Sequence, residues 1–258
     1  MSAAAIDSVW RIGVLFIAGV AAGVANGVAG GGTFISFPTL LALGVAPLQA
    51  NVSSTVGLVP SVLAGVRVFR TELRAHRDTL RLLVPSCVVG SGVGTTLLLT
   101  GSDQTFRSVV PWLIGAATAL FAAAPLITRA LTRHRAIDVA AAHPRALAVG
   151  VFVASIYGGY FGAGLGIVLL AVLALSLPDD IFTLQGLRVA LGLLVNTVAA
   201  LVFIVRGHLA LTAVAVLVVS TFIGGWLGAT WMRRLSPVVV RLIVIAVGAA
   251  TTIRLAIG

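Results

Sequence analysis

Apolar positions along this chain come in long unbroken runs. The alternation of a half-buried strand and the one-in-three-or-four stripe of a soluble helix are both absent. Ten such segments can be traced. Five (12–29, 33–43, 48–66, 82–99 and 109–127) precede a polar stretch, and five (146–160, 167–177, 189–205, 209–232 and 238–257) follow it. Four of them, 12–29, 82–99, 109–127 and 189–205, hold no charged residue over 17 to 19 positions. A spanning helix needs about 20 mostly apolar residues. In hydrocarbon each backbone N–H and C=O must bond within its own segment, so the runs predict membrane helices. The short strands of alternating hydrophobicity that mark a membrane barrel are missing.

The order of segments repeats. Gly23, Gly27 and Gly31 stand four apart, as do Gly158, Gly162 and Gly166, and each set leads into a short apolar stretch. A shift of 136 residues places Gln49 on Gln185, Pro60 on Asn196 and Arg70 on Arg206. Each half therefore reads as long helix, Gly-rich break, short apolar piece, Gln-led helix. The expected fold is an all-α polytopic membrane protein of two homologous repeats with about five apolar segments each. That gives 8–10 membrane helices, two of them short and discontinuous. Residues 1–128 form the first repeat, 129–145 a polar cytoplasmic linker and 146–258 the second repeat.

Composition agrees: 59% of the 258 residues are hydrophobic and 9% charged, with a mean hydropathy of +1.14. A soluble domain carries roughly 25% charged residues to cover its surface. The net charge of +10 raises nucleic acid as a partner. All 17 basic residues are arginine, however, and they cluster between apolar runs: Arg67, Arg70, Arg74, Arg77 and Arg81; Arg129, Arg133, Arg135 and Arg145; Arg233, Arg234 and Arg241. That is the distribution of cytoplasmic loops, so the expected partner is the lipid bilayer, without nucleic acid. If the short pieces cross the membrane, five spans per half invert the second copy, with 13 Arg inside and four outside. If they re-enter, the copies are parallel, with 12 inside and five outside. The cluster at 233–241 favours inversion, an arrangement common in secondary transporters. Cys87 is the lone cysteine and excludes an internal disulfide. A cleaved signal peptide is not expected, because the first apolar run leads straight into the repeated motif.

Candidate chemistry gathers at the breaks. Asn26 to Thr33 contains Gly30, Gly31 and Gly32 in succession, and Tyr157 to Gly166 holds five glycines, among them Gly162 and Gly164. Glycine costs a helix about 1 kcal/mol relative to alanine, so such clusters interrupt it. The freed N–H groups and the positive end of the following short helix suit an anion. Paired discontinuous helices in corresponding places are the sequence pointer to a transporter's substrate site. The competing reading is close helix packing through small residues. A second polar patch opens the third element of each half: Gln49, Asn51, Ser53, Ser54 and Thr55, against Gln185 and Arg188. A planar guanidinium matches an oxyanion, whereas snorkelling to headgroups would give Arg188 no ligand. Tyr160 completes the candidate contacts, while Pro60 and Asn196 read as matched weak points of their helices.

All seven acidic residues lie at segment ends or in loops, and no histidine is mid-segment. An intramembrane proton relay or a metal site made by carboxylate and imidazole therefore lacks its groups. No hydrolase or metalloprotease signature appears, so an enzyme is not expected, nor any cofactor or metal.

The pattern Gly23-x-x-x-Gly27-x-x-Gly30-Gly31-Gly32, then Pro38 and Gly44-Val-Ala-Pro47-x-x-Ala50, with its degraded second copy, resembles the TauE/SafE family of sulfite exporter-like permeases. The second copy departs at Leu165 and Val172, where glycine and proline are usual, and at Asn51 the family often has a small residue. The resemblance covers almost the whole chain. It implies a multi-pass transporter of the bacterial inner membrane for sulfite, sulfonates or related organic anions. It matches Gly30, Gly31, Gly32 and Pro38 to the first motif and Gly162, Gly164 and Gly166 to the second. The expected function is export of a small anion by alternating access around the paired breaks, electrogenic or by exchange. A structural or assembly protein of the membrane is the alternative. The oligomeric state is left open, a homodimer included.

Overall fold

In a computed structural model the described residues are 8–134, 144–206, 209–231, 242 and 245–253. They are almost entirely helical, and no strand occurs among them. The helices are α1 (Val9–Ala29), α2 (Thr33–Ala42), α3 (Pro47–Val68), α4 (Arg70–Ala75), α5 (Arg77–Thr100), α6 (Asp103–His134), α7 (Pro144–Tyr160), α8 (Leu165–Ser176), α9 (Ile181–Arg206) and α10 (Leu211–Trp231). Residues 245–253 are helical as well. Five helices are long and apolar enough to cross a membrane: Val9–Gly27, Arg77–Thr100, Asp103–Ile127, Ile181–Arg206 and Leu211–Gly228. Their outer faces expose Ile17, Val89, Trp112, Leu201 and Phe222, a surface that only lipid covers at low cost.

The apolar runs become helices close to where the sequence predicts them, with three differences. Helix α6 continues to His134, well into the stretch read as a linker; 135–143 lie outside the described residues. The short helix α4 has no apolar run to announce it. Of the predicted final segment 238–257, only 242 and 245–253 are described.

Close packing sets the helix directions. Gly19 lies against Ser220, Gly23 against Gly224 and Gly228 against Val24, so α1 and α10 run parallel with their backbones nearly touching. A Cβ on Gly23 would stand 2.9 Å from the Gly224 Cα, closer than real side chains approach. Helix α3 also parallels α10: the Ala210 N–H donates to the Ser53 Oγ at 2.9 Å, the Thr221 hydroxyl to the Gly57 carbonyl, and Gly225 packs on Ser61. Since α1 and α3 point the same way, α2 returns the chain between them. Helix α9 is antiparallel to α3. Phe69, which ends α3, packs on Phe182 at the start of α9 with ring centroids 4.9 Å apart. Helices α7 and α8 form a hairpin, with Gly150 on Val172 and Gly158 on Leu165.

Helix α3 is the least lipid-like of the long helices because it lies at the centre. Asn51, Ser53 and Ser54 are all 0–1% exposed. Ser54 bonds Ser36 at 2.6 Å and the Asn51 amide donates to the Tyr160 carbonyl at 3.1 Å, while the Asn51 Oδ1 is buried without a partner. Two apolar clusters flank it. One is built around Phe34, Phe37, Phe121 and Phe161, the other around Leu83, Leu169, Leu187 and Val195.

Candidate functional site

The two Gly-rich breaks meet. Helix α1 ends at Ala29, and Gly30 follows at φ 73°, a left-handed conformation that reverses the chain into α2. Helix α7 ends at Tyr160, after which Gly162 (φ 75°) and Gly164 (φ 74°) turn it into α8. The left-handed region costs an L side chain roughly 1–2 kcal/mol, so these positions favour glycine. The Tyr157 hydroxyl donates to the Ala163 carbonyl and ties the second turn down. A Cβ built on Gly30 would lie 3.3 Å from the Gly166 Cα, and one on Gly166 would lie 3.4 Å from the Gly30 Cα. The start of α8 thus sits directly on the end of α1.

Arg188 reaches this junction from α9. Its side chain is 6% exposed, and its Nη1 would lie 2.6 Å from a Cβ on either Gly30 or Gly166. The guanidinium therefore occupies the space that the two missing side chains leave. Its Nε is buried without a hydrogen-bond partner, and no carboxylate of the described residues pairs with it. A buried cation without a counter-charge is costly unless something negative completes it. The register of Arg188 is set by the start of its helix. The Asp180 carboxylate accepts the N–H groups of Phe182 (2.8 Å) and Thr183 (3.1 Å), and Thr183 returns its hydroxyl to Asp180 at 2.6 Å. These bonds, chiefly those from Thr183, hold the Asp180 carboxyl below its ordinary range.

Around the junction is a cavity of about 50 Å³, lined by Asn26, Gly30, Thr33, Thr55, Leu58, Val62, Phe161, Gly162, Leu165, Gly166, Arg188, Val189, Gly192 and Asn196. At about 10–15 Å³ per water it has room for a few waters or one small oxyanion. It sits beside the middle of α3 and α9 (Leu58, Gly192). Asn26 is held there by donating to the Ser61 hydroxyl at 2.8 Å, which in turn donates to the Leu58 carbonyl at 2.6 Å. Among the described residues no three His, Cys, Asp or Glu gather where they would hold a metal.

Seven of the residues singled out in the sequence as candidate contacts line this cavity: Asn26, Gly30, Thr33, Thr55, Gly162, Gly166 and Arg188. The others support it from behind or stand apart. Gly32 is packed between Leu58 and Asn26, and Gly164 caps α8 beside Phe34. Asn51 bonds Tyr160 at the end of α7, Ser53 holds Ala210, and Ser54 pairs with Ser36. Gly31 is buried in the turn, while Gln49 in the first turn of α3 and Gln185 in the second turn of α9 lie outside the lining. Asn196 lines the cavity although its sequence position suggested only a helix weak point. The signal was its being the sole amide in the apolar run 189–205. Arg188 lies two turns inside α9 and turns inward, in place of the headgroup contact that snorkelling would give.

The family described as "Sulfite exporter TauE/SafE" matches residues 15–255. A protein of Escherichia coli (strain K12) named "Probable membrane transporter protein YfcA" is 25% identical over 253 residues, which cover 95% of this chain and 89% of that protein. One of Haemophilus influenzae named "Probable membrane transporter protein" is 21% identical over 234 residues, 91% of this chain and 90% of its own. No solved structure matches the chain.

Proposed function

The chain belongs to the TauE/SafE sulfite exporter family of membrane transporters, and from that premise we propose that it carries a small oxyanion, sulfite or a sulfonate, through the cavity in which Arg188 ends. The observation behind this reading is the buried guanidinium of Arg188, set between Gly30 and Gly166 with an unpartnered Nε and, among the described residues, no carboxylate beside it. An oxyanion supplies the missing charge, and Thr33 and Gly166, whose N–H groups alone in the first turns of α2 and α8 bond no carbonyl, line the same cavity and can receive its other oxygens. The apolar remainder of the lining, Leu58, Val62 and Leu165, suits a short aliphatic substituent.

The architecture that goes with this function is two copies of one unit, residues 1–128 and 146–258 joined through 129–145, the second inverted. Its support is the antiparallel run of α3 and α9, the elements that correspond under the 136-residue shift. An inverted pair has two nearly equivalent ways to pack, which is the basis for alternating access around the junction. The ends of α3 and α6 and the start of α9 then share one face with most of the arginines. That face is cytoplasmic by the positive-inside rule, in the bacterial inner membrane.

The test is flux. Purified protein in proteoliposomes should move sulfite or methanesulfonate, and Arg188→Leu should abolish the movement while the protein still inserts. Wild-type protein that moves no small anion under any gradient sinks the proposal in favour of a structural role.

A further inference from the structure

A second and larger cavity, about 620 Å³, opens beside α2. Its lining includes Pro38, Leu41, Ala42, Pro47 and Arg107. The central cavity begins at Thr33, the first residue of the same helix. Positions 34, 37, 38 and 41 share one face of α2. The strip of that face between the two cavities is filled by phenylalanine. Phe37 (1% exposed) meets Phe161 edge-on at 5.6 Å, and Phe34 (2%) meets Phe121 at 5.3 Å. Phe161 is itself part of the central lining, and Pro38, next to Phe37, is part of the outer one. The Phe37–Phe161 contact thus lies between the central lining, to which Phe161 belongs, and the outer one, which starts on α2 at Pro38.

We propose that one route to Arg188 runs from the Arg107 cavity along this face of α2, and that Phe37 and Phe161, backed by Phe34 and Phe121, close it and determine which anions pass. Three features fit such a gate. Pro38 has no N–H to bond the carbonyl of Phe34, so the hydrogen bonding of α2 is interrupted next to the rings. Helix α2 starts at the glycine turn, where the backbone pivots most easily. Arg107, exposed in the outer cavity, draws anions to its mouth. An edge-on ring pair adds only a small attraction beyond the burial of its rings, one that a modest tilt of α2 can break. The route rests on the reading of the chain as an anion carrier, and its test does not depend on transport.

In a Cys87→Ala background, Ala42→Cys marks the outer cavity and Thr33→Cys the central one. A membrane-impermeant sulfonated thiol reagent is applied from each side. Ala42→Cys should react from one face only, which identifies that face and reports folding. Thr33→Cys should react slowly from there and accelerate about tenfold or more when Phe37→Ala is added, the factor expected when a state populated at a tenth or less becomes dominant. If Phe37→Ala leaves Ala42→Cys unreactive and so misfolded, Phe121→Ala replaces it under the same criterion. No acceleration in a folded gate variant overturns the route, as does fast Thr33→Cys reaction from that face with all four rings intact. Acceleration without any anion flux sinks the carrier reading and leaves the route standing.

Discussion

Gly30 and Gly166, 136 positions apart in the chain, touch: a Cβ on Gly30 would stand 3.3 Å from the Gly166 Cα and one on Gly166 3.4 Å from the Gly30 Cα, and the Arg188 guanidinium packs against both. The two substitutions here should separate. Gly30→Ala meets a left-handed backbone and the Gly166 Cα, so it should cost roughly 1–2 kcal/mol of stability as well as transport. Gly166→Ala displaces only the far end of the Arg188 side chain. Its melting temperature should stay near wild type while the KM for anion rises. Equal thermal losses in both would show that the junction is merely packing.

Arg188→Leu should do the reverse of a usual core substitution. It removes a buried charge that no protein carboxylate pairs with among the described residues, and that burial is itself unfavourable. Thermal stability without substrate should therefore hold or rise. Anion affinity should fall roughly 10- to 100-fold, the ~1.5–3 kcal/mol of a hydrogen bond to a charged group. Wild-type protein should also be stabilised by added sulfite, and Arg188→Leu should not. A marked fall in melting temperature for the variant would contradict this account.

Flux should follow the membrane potential. Among the described residues no acidic or histidine side chain lines the central cavity, so the charge expected to move is the anion's own. Each elementary charge is then worth about 2.3 kcal/mol per 100 mV. Proteoliposomes with equal pH on both sides and a potassium–valinomycin potential should show flux that reverses with the sign of the potential. Flux that ignores the potential and tracks a pH gradient would mean that a proton travels with the substrate. Strict dependence on a counter-anion would mean exchange.

His76 bonds Asp179 at 3.0 Å and so ties the α4–α5 corner to the segment leading into α9. Burial alone would lower the pKa of this imidazole. The Glu72 carbonyl and the carboxylates of Asp179 and Asp180 outweigh it, and the pKa stands above its ordinary 6.5. A raised pKa means that protonation stabilises the fold. The contribution is complete below about pH 6.5 and is lost as pH climbs through the raised value. Melting temperature should decline across that window, and Asp179→Asn should flatten the decline. Both side chains are about a quarter exposed, so the amplitude is small. An unchanged slope in Asp179→Asn would remove the pair from the explanation.

The sequence by itself determined the class of molecule and the course of its chain. Apolar runs the length of a bilayer leave the backbone one way to satisfy its hydrogen bonds, so helices follow wherever the runs occur. The breaks at Gly30 and at Gly162 and Gly164 were equally legible, because glycines grouped between apolar stretches mark where a helix turns over. The candidate residues on the breaks could be named for the same reason. Which of them face the cavity was decided only by tertiary packing. Ser53 and Ser54 look as available in the sequence as Thr55, yet the first two are turned to Ala210 and Ser36 and only Thr55 reaches the lining. Helix α4 and the last turns of α6 up to His134 are rich in polar residues that carry no hydropathy signal. Asn196 and the ring pair of Phe37 and Phe161 needed the fold too, for their partners lie on helices far away in the chain. Hydropathy and glycine act locally, within a few residues of themselves. A cavity is made by side chains that converge across distant segments, and only the packed structure fixes that convergence.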